Sequence, residues 1–131
     1  MSDEIAVEEA QWRSRLSADQ FAVLRGGATE APFSGSLLHV DAEGVFGCGG
    51  CGQILFRSAQ KFDSGCGWPS FDDCEEGAIR SRPDHSLGRE RTEILCARCG
   101  GHLGHVFEDG PTMSGLRYCV NSLALDFEES D

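Results

Sequence analysis

The 131-residue sequence predicts a mainly β protein built from short antiparallel strands. Seventeen glycines supply many turns and argue against a helical bundle, because glycine disfavours the interior of a helix. Hydrophobic residues make up 40% of the chain, which is enough for a modest core in one domain. Short apolar stretches separated by Gly, Asp and Ser are typical of strands, and we expect them at Leu37–Val40, Val45–Phe46, Gln53–Phe56, Ile79–Arg80, Thr92–Leu95, His105–Phe107 and Arg117–Phe127.

The first part of the chain is predicted to be helical. Ser17 followed three residues later by Gln20 is typical of a capping box, in which each residue satisfies a backbone amide of the other. We therefore expect two short helices with a break near Leu16–Ser17. Residues 1–28 should form an arm packed on a single domain that spans residues 1–131.

The charge balance excludes some classes of partner. The formal net charge is -11, and Lys61 is the only lysine. A surface this acidic repels phosphate backbones, so we expect no nucleic-acid partner.

The sequence shows no sign of secretion or of a membrane span. The first ten residues are acidic and lack the apolar stretch of a signal peptide, and no apolar run is long enough to span a membrane. We therefore expect a cytoplasmic protein without a membrane partner, with its thiols kept reduced.

Four of the seven cysteines form two matching C-x-x-C-G units: Cys48, Cys51, Cys96 and Cys99. The two-residue gap lets both sulfurs of a unit face one ion, and two units supply the four thiolates of a structural zinc site. The alternatives are two dithiol redox motifs or unrelated buried cysteines, and iron would fit the same four ligands. A shell of four thiolates leaves no open coordination position, so we assign this site to stability rather than catalysis.

Cys119 lies on a predicted strand between two polar residues. Period-two alternation places Arg117, Cys119 and Asn121 on one face, opposite an apolar face. An arginine beside a thiol favours the thiolate, which is the nucleophilic form. The structural alternative is a buried, unreactive cysteine beside an arginine in a salt bridge, and Cys119 by itself does not decide between them.

Cys66 favours the redox interpretation. Glycines on both sides predict a flexible loop, and Trp68-Pro69 supplies a stiff aromatic wall beside it. A second thiol on such a loop can resolve a sulfenic acid by attacking it to form a disulfide.

Two closely spaced histidines, His102 and His105, could donate protons to an oxygen that leaves as water. For either histidine alone, a hydrogen-bonded structural role is the more common one. Asp109 could orient one of them or simply begin the turn Asp109-Gly110-Pro111.

Several of these stretches together resemble the B-type methionine sulfoxide reductases, the methionine-R-sulfoxide reductases. The most specific are K-F-D-S-G-C-G-W-P-S-F at Lys61–Phe71, G-H-L-G-H-V-F-E-D-G-P at Gly101–Pro111 and G-L-R-Y-C-V-N-S at Gly115–Ser122. The others are T-E-A-P-F at Thr29–Phe33, the two C-x-x-C-G units and R-T-E-I-L-C at Arg91–Cys96. The resemblance covers nearly the whole chain.

The resemblance implies two antiparallel sheets with peripheral helices, and a structural zinc on the four C-x-x-C cysteines. It implies that Cys119 attacks the sulfoxide sulfur and becomes a sulfenic acid. Cys66 would then form a Cys66–Cys119 disulfide, which thioredoxin reduces. The implied substrates are oxidised proteins or peptides that carry methionine-R-sulfoxide.

The same resemblance implies a set of pocket residues. Trp68 would pack against the methyl group of the substrate, and His105, with His102, would help to protonate the sulfoxide oxygen. The remaining implied pocket residues are Asp109, Arg117 and Asn121.

Three features depart from the family pattern. Cys74 belongs to neither set of cysteines, and it is either an inert buried thiol, which we favour, or an alternative resolving cysteine. Arg89 stands where the family usually has a methionine. Leu123-Ala124 replaces a smaller, more polar pair, which is consistent with repacking beyond the site.

A different class of function is a zinc-stabilised binding module of similar fold that holds a ligand without turnover. It accounts for the metal site, but not for Cys66 and Cys119 accompanying two histidines and an arginine. A zinc-ribbon nucleic-acid binder is disfavoured by the net charge of -11.

Overall fold

The structure, a computed structural model, describes Trp12, residues 14–85 and residues 91–130. Within this part of the chain, helix α1 (Ala18–Leu24) precedes nine strands: β1 (Gly44–Cys48), β2 (Ile54–Arg57), β3 (Lys61–Phe62), β4 (Ser70–Phe71), β5 (Ile79–Asp84), β6 (Arg91–Cys96), β7 (His102–Phe107), β8 (Arg117–Val120) and β9 (Leu125–Glu129). Two short 3-10 turns lie at Ser58–Gln60 and Ser122–Ala124. No helix in the described residues is long and apolar enough to cross a membrane.

The strands form two sheets in which neighbouring strands are antiparallel. One sheet has three strands in the order β2-β1-β9, and the other has six in the order β3-β4-β8-β7-β6-β5. This arrangement confirms the predicted fold class, a mainly β protein with two antiparallel sheets.

An aromatic core joins the two sheets. Phe56 from the three-stranded sheet stacks on Phe71 from the six-stranded sheet, with ring centroids 4.1 Å apart. Phe46 meets the same Phe71 ring edge-on at 5.0 Å, and Tyr118 lies 5.8 Å from Phe56. Burial of these large rings fixes one face of β4 and β8 towards the core. The opposite face of β8, which carries Cys119, is thereby left for the site.

Helix α1 begins where the sequence predicts a capping box. Ser17 caps α1, its side chain accepting from the Gln20 amide while Gln20 accepts from the Ser17 amide. Trp12 is 2% exposed and belongs to the core cluster, so this segment covers part of the core. Residues 1–11 lie outside the described residues, and the arrangement of residues 1–131 as one domain with an N-terminal arm stays a prediction.

The predicted strand at Leu37–Val40 is wrong. The Leu38 amide bonds to the Gly35 carbonyl at 3.4 Å and the Val40 amide bonds to the Leu37 carbonyl at 3.3 Å, which is the i to i+3 pattern of turns. Lys61 Nζ also donates to the Leu38 carbonyl at 2.7 Å. The apolar residues of this segment pack on the core from a turn rather than from a strand.

The predicted strand Arg117–Phe127 is two strands in different sheets. The 3-10 turn Ser122–Ala124 interrupts it and carries the chain from β8 in the six-stranded sheet to β9 in the three-stranded sheet. The sequence prediction also missed β3 and β4, because two-residue strands are too short to show an alternating pattern.

Candidate functional site

One row of directly paired residues crosses the six-stranded sheet and carries the site. The strand registers pair neighbouring members of this row, which runs Ser70, Cys119, His105, Glu93, Arg82 from β4 to β5. Residues directly opposite each other in neighbouring strands project from the same face. These five polar side chains therefore lie on the face of the sheet that points away from the aromatic core.

The two thiols of this face are in contact. The Sγ atoms of Cys66 and Cys119 lie 3.1 Å apart. Arg117 NH1 donates to Cys119 Sγ at 2.8 Å, as expected from the alternation along this strand. Ser70 Oγ lies 3.4 Å from Cys66 Sγ and 3.9 Å from Cys119 Sγ. The structure thus brings together a thiol pair, a hydroxyl and a guanidinium.

The two thiols do not ionise alike. Burial raises the pKa of Cys66, but hydrogen bonds from Ser64, Ser70 and Cys119 outweigh it and lower that pKa to about 7. Burial and the contact with Cys66 raise the pKa of Cys119 to about 12, although Arg117 acts in the opposite direction. Two thiolates at this separation repel, so the pair carries one negative charge near neutral pH. These pKa values place that charge mainly on Cys66, and Arg117, 2.8 Å from Cys119 Sγ, is the cation positioned to favour the charge on Cys119 instead.

The loop that carries Cys66 is already closed onto Cys119. Gly67 has a φ of 96°, and a Cβ added there would lie 2.6 Å from Pro32 Cβ. The Phe33 amide donates to the Gly67 carbonyl at 2.7 Å. Of the two flanking glycines, which predicted a flexible loop, Gly67 instead allows a close approach between this loop and the segment around Pro32.

A pocket opens beside Cys119. Its cavity volume is about 360 Å³, and its walls include Trp68, His105, Phe107, Arg117, Cys119 and Asn121. Trp68 is fixed in orientation because its Nε1 donates to the Glu30 carbonyl at 3.0 Å. Asp109 does not line this pocket, but it forms a paired contact with Arg117, Oδ1 to Nε at 2.7 Å and Oδ2 to NH2 at 2.9 Å. Its direct partner is therefore the arginine rather than a histidine.

Asn121 is anchored inside the protein at both ends of its amide. Its Nδ2 donates to the Leu103 carbonyl at 2.9 Å, and its Oδ1 accepts from the Glu30 amide at 2.9 Å. Glu30 is buried, and its Oε1 accepts from the Leu123 amide at 2.9 Å. The segment predicted as part of a family motif at Thr29–Phe33 therefore ties Trp68, Asn121 and the start of the 3-10 turn together.

A β-bulge brings the two histidines to one place. Residues three apart project from opposite faces of a regular strand, as His102 and His105 would. The register between β6 and β7 shifts from Ile94 opposite Gly104 to Leu95 opposite His102, which leaves Leu103 as the extra residue. The two rings consequently lie 5.8 Å apart, centroid to centroid.

The two histidines have different surroundings. His105 lines the Cys119 pocket, whereas His102 lines a neighbouring cavity of about 380 Å³ that His105 also reaches. His102 Nδ1 lies 2.6 Å from Glu93 Oε2, and His105 Nε2 lies 2.8 Å from Asp84 Oδ2. Burial lowers the pKa of His102 despite the opposing effect of Glu93. A neutral His102 therefore donates its Nδ1 proton to Glu93.

The four C-x-x-C cysteines converge as the sequence predicts. The Sγ atoms of Cys48, Cys51, Cys96 and Cys99 all lie within 4.8 Å of one another. The Cys48–Cys99 and Cys51–Cys96 sulfur pairs are each 3.6 Å apart. Four sulfurs bound tetrahedrally to zinc at about 2.3 Å lie about 3.8 Å from one another, so this cluster has the size of a zinc shell.

The chemistry of the cluster also fits a metal ion. The neighbouring thiols raise the pKa of Cys48 strongly, while the hydrogen bond from Cys48 lowers the pKa of Cys99 to about 4. Four thiolates this close repel one another, so a bound cation is required to keep all four deprotonated. The Gly50 amide donates to Cys48 Sγ at 3.3 Å, in the manner of amides around thiolate ligands. The cluster is thus compatible with a structural zinc site.

Several residues around the site were missed by the sequence prediction. Glu30, Asp84 and Glu93 each contact a predicted site residue, yet an acidic residue in a strongly acidic chain carries little signal by itself. Glu93 lies on a predicted strand, but its pairing with His105 is known only from the folded sheet. Cys74 is half-buried, with its Sγ 3.7 Å from the Tyr118 hydroxyl. Arg89 lies outside the described residues.

The chain is similar in sequence to a known domain family and to named proteins. The SelR domain family matches residues 16–129. A protein of Bradyrhizobium diazoefficiens named peptide methionine sulfoxide reductase MsrB is 55% identical over 127 residues, which is 96% of this chain and 91% of the relative. Proteins of the same name from Teredinibacter turnerae and Thiobacillus denitrificans are 50% and 48% identical, covering 98% and 100% of this chain and 96% and 100% of the relatives.

A solved structure is similar in fold alone. The crystal structure of the Mis18 'Yippee-like' domain matches with a TM-score of 0.56 and 21% sequence identity. The match covers 68% of this chain and 98% of that domain. Since the SelR family match and the relatives span nearly the whole chain at about half identity, this chain belongs to the SelR-domain family of MsrB proteins.

Proposed function

We propose that this protein is a peptide methionine sulfoxide reductase that acts on methionine-R-sulfoxide, mainly in oxidised proteins and peptides. The reaction class is the one named for the relatives. The observation that carries the proposal is the contact at 3.1 Å between Cys66 Sγ and Cys119 Sγ, beside Arg117 and the Cys119 pocket. The preference for the R epimer rests on the family resemblance.

In the first step, the Cys119 thiolate attacks the sulfoxide sulfur. Arg117 NH1, 2.8 Å from Cys119 Sγ, favours the thiolate. Trp68 packs against the methyl group of the substrate. Asp109 holds the Arg117 guanidinium in place, and Asn121 holds the Glu30 backbone, which in turn orients Trp68. His105, with His102 behind it, supplies a proton to the oxygen. The sulfur–oxygen bond breaks, methionine leaves, and Cys119 becomes a sulfenic acid.

In the second step, Cys66 attacks the sulfenic sulfur of Cys119. The Cys66–Cys119 disulfide forms, and the hydroxyl leaves as water after taking a proton. The hydrogen bonds from Ser64 and Ser70, which lower the pKa of Cys66, favour its thiolate for this attack. One sulfoxide and two thiols thus yield one thioether, one disulfide and one water, and thioredoxin then reduces the disulfide.

The C-x-x-C cluster serves stability in this proposal. Cys48, Cys51, Cys96 and Cys99 would hold one zinc ion, whose four thiolate ligands leave no position for substrate. A bound zinc here supplies folding free energy rather than chemistry.

The proposal is tested by single-turnover reduction of the two separated epimers of a methionine sulfoxide peptide, with free thiols counted before and after. Reduced wild-type protein should lose two thiols with the R epimer and none with the S epimer. Cys119→Ser should form no product, because it lacks the nucleophile. If reduced, metal-loaded wild-type protein consumes neither epimer, the reductase proposal fails and the non-catalytic binding module takes its place.

The role of the resolving thiol follows from multiple turnover with thioredoxin. Cys66→Ser should reduce one equivalent of substrate and then stop. Cys74→Ser is the matched control and should turn over like wild type, because Cys74 contacts Tyr118, which projects from the face of β8 opposite to Cys119. Continued turnover by Cys66→Ser would contradict the assignment of Cys66 as the resolving thiol.

A further inference from the structure

A carboxylate from outside the Cys119 pocket engages the histidine that lines it. Asp84, the last residue of β5, places Oδ2 2.8 Å from Nε2 of His105. Their side chains are 18% and 12% exposed, so this contact is largely shielded from water. We propose that Asp84 is a positioning residue for His105, fixing which ring nitrogen meets the sulfoxide oxygen. This inference rests on the proposed reductase function.

The Asp84 carboxylate is itself fixed from a second side. Arg91 stands directly opposite Asp84 in the register of β5 and β6, and its NH2 lies 3.3 Å from the same Oδ2. A guanidinium at this distance favours the ionised carboxylate, which can only accept hydrogen bonds. Nε2 of His105 must therefore carry a proton and donate it to Asp84.

This contact determines which ring nitrogen of His105 can donate a proton in the Cys119 pocket. With Nε2 engaged by Asp84, Nδ1 is the remaining ring nitrogen. When the ring is protonated, Nδ1–H can donate to the sulfoxide oxygen while the carboxylate stabilises the positive charge. The Nδ1 proton passes to the oxygen, the other proton stays on Nε2 in its hydrogen bond to Asp84, and the ring ends neutral. Asp84 acts through His105 and touches neither the substrate nor the thiols.

The neighbouring histidine has the opposite arrangement. His102 engages Glu93 through Nδ1 at 2.6 Å, and its buried Nε2 has no hydrogen-bond partner in the described residues. Glu93 is in turn fixed by Arg82 Nε at 2.7 Å from Oε1. His102 does not line the Cys119 pocket, and a neutral ring whose single N–H is engaged by Glu93 has no proton to donate elsewhere. The two histidine–carboxylate pairs are therefore not equivalent. Asp84 is the carboxylate that influences protonation of the sulfoxide oxygen, through His105.

The test compares Asp84→Asn with wild type in single-turnover reduction of the R epimer at a series of substrate concentrations. Loss of an orienting, charge-stabilising carboxylate should lower the maximal rate by about 10- to 100-fold, with little change in the half-saturating concentration. In a His105→Gln background, Asp84→Asn should cost nothing further, because the residue it orients is gone. A structural role would lower the rate in both backgrounds.

A spectroscopic measurement tests the contact without turnover. The ¹⁵N NMR shifts of His105 should report a proton on Nε2 in the neutral wild-type ring, and a mixture of tautomers in Asp84→Asn. Asp126→Asn, the same change at an exposed residue on β9 in the other sheet, should alter neither rate nor tautomer. Asp84→Glu keeps a charge for Arg91 and should retain more activity than Asp84→Asn, which keeps the test valid if the Asn variant does not fold.

The proposal is overturned if Asp84→Asn leaves the rate and the Nε2–H tautomer unchanged. It is also overturned if the rate falls equally in the His105→Gln background. If wild-type protein reduces neither epimer, the reductase proposal fails by itself, and the NMR shifts still decide whether Asp84 fixes the tautomer of His105.

Discussion

At the scale of the residue, the ionisation of Cys119 depends on a balance between burial, the Cys66 thiol and one cation. Burial and the Cys66 thiol raise the pKa of Cys119, and Arg117 opposes them from 2.8 Å. The guanidinium is fixed on two further sides, by Asp109 at 2.7 Å and by the Phe107 ring, whose centroid lies 4.4 Å from Cζ. A group so constrained acts on the thiol with little freedom to move away.

Arg117→Met removes this charge while keeping a side chain of similar length. Because the charged form of Cys119 loses its cation, the pKa of Cys119 should rise and the pH dependence of single-turnover reduction should move to higher pH. At neutral pH we expect a rate about 10- to 100-fold lower, since hydrogen bonds to charged groups are typically worth 1.5–3 kcal/mol, and the deficit should narrow as pH rises. Arg57→Met is the control. Arg57 is an exposed arginine on β2 in the other sheet, and it forms an ion pair with Glu75. An unchanged pH profile in Arg117→Met would contradict the assigned role.

At the scale of the element, strand β7 carries both histidines and must lie unusually close to β8. A Cβ added at Gly104 would lie 2.0 Å from the Cys119 carbonyl oxygen, a backbone atom that cannot turn aside. Gly104 is next to His105, which is paired directly with Cys119. The absence of a side chain at this position therefore sets the distance between the histidine strand and the thiol strand.

Gly104→Ala should force β7 and β8 apart. We expect a loss of about 1–3 kcal/mol of unfolding free energy from overpacking, together with a lower single-turnover rate because His105 and Cys119 separate. Gly47→Ala in β1 is the matched control, since its nearest contact would be an ordinary 3.4 Å from the Gly52 carbonyl oxygen. Denaturant unfolding and rate measurements on both variants check this, and a Gly104→Ala protein as stable and as fast as Gly47→Ala would contradict it.

The same strand marks the limit of prediction from sequence. Alternation alone correctly placed Arg117, Cys119 and Asn121 on one face, because β8 is regular from Arg117 to Val120 and Asn121 continues it in an extended conformation. Alternation cannot place His102 beside His105, because the bulge at Leu103 is recognised only from pairing with β6. Asp84 and Glu93 were invisible for the same reason: their partners are fixed by strand register, and register is a property of the folded sheet.

At the scale of the whole molecule, the four-cysteine cluster joins the two sheets. Cys48 and Cys51 lie at the turn between β1 and β2 in the three-stranded sheet, and Cys96 and Cys99 lie at the turn between β6 and β7 in the six-stranded sheet. The N-terminal segment packs on the same place, with Arg25 NH1 donating to the Cys99 carbonyl at 2.9 Å. β7 begins three residues after Cys99, so the four-cysteine cluster fixes the start of the strand that carries the histidines.

Removal of the metal should therefore destabilise the whole fold before any chemistry is tested. Structural zinc sites with four protein ligands have apparent binding free energies of roughly 10–16 kcal/mol, which the metal-free chain would lose. We expect one zinc per chain by elemental analysis of reduced protein, and a large fall in melting temperature after chelation, reversed by added zinc. Cys51→Ser should reproduce the fall, whereas Cys74→Ser should keep both the metal and the melting temperature, because Cys74 is not one of the four clustered cysteines. A chelated protein that melts at the temperature of the untreated protein would show that the aromatic core alone joins the two sheets.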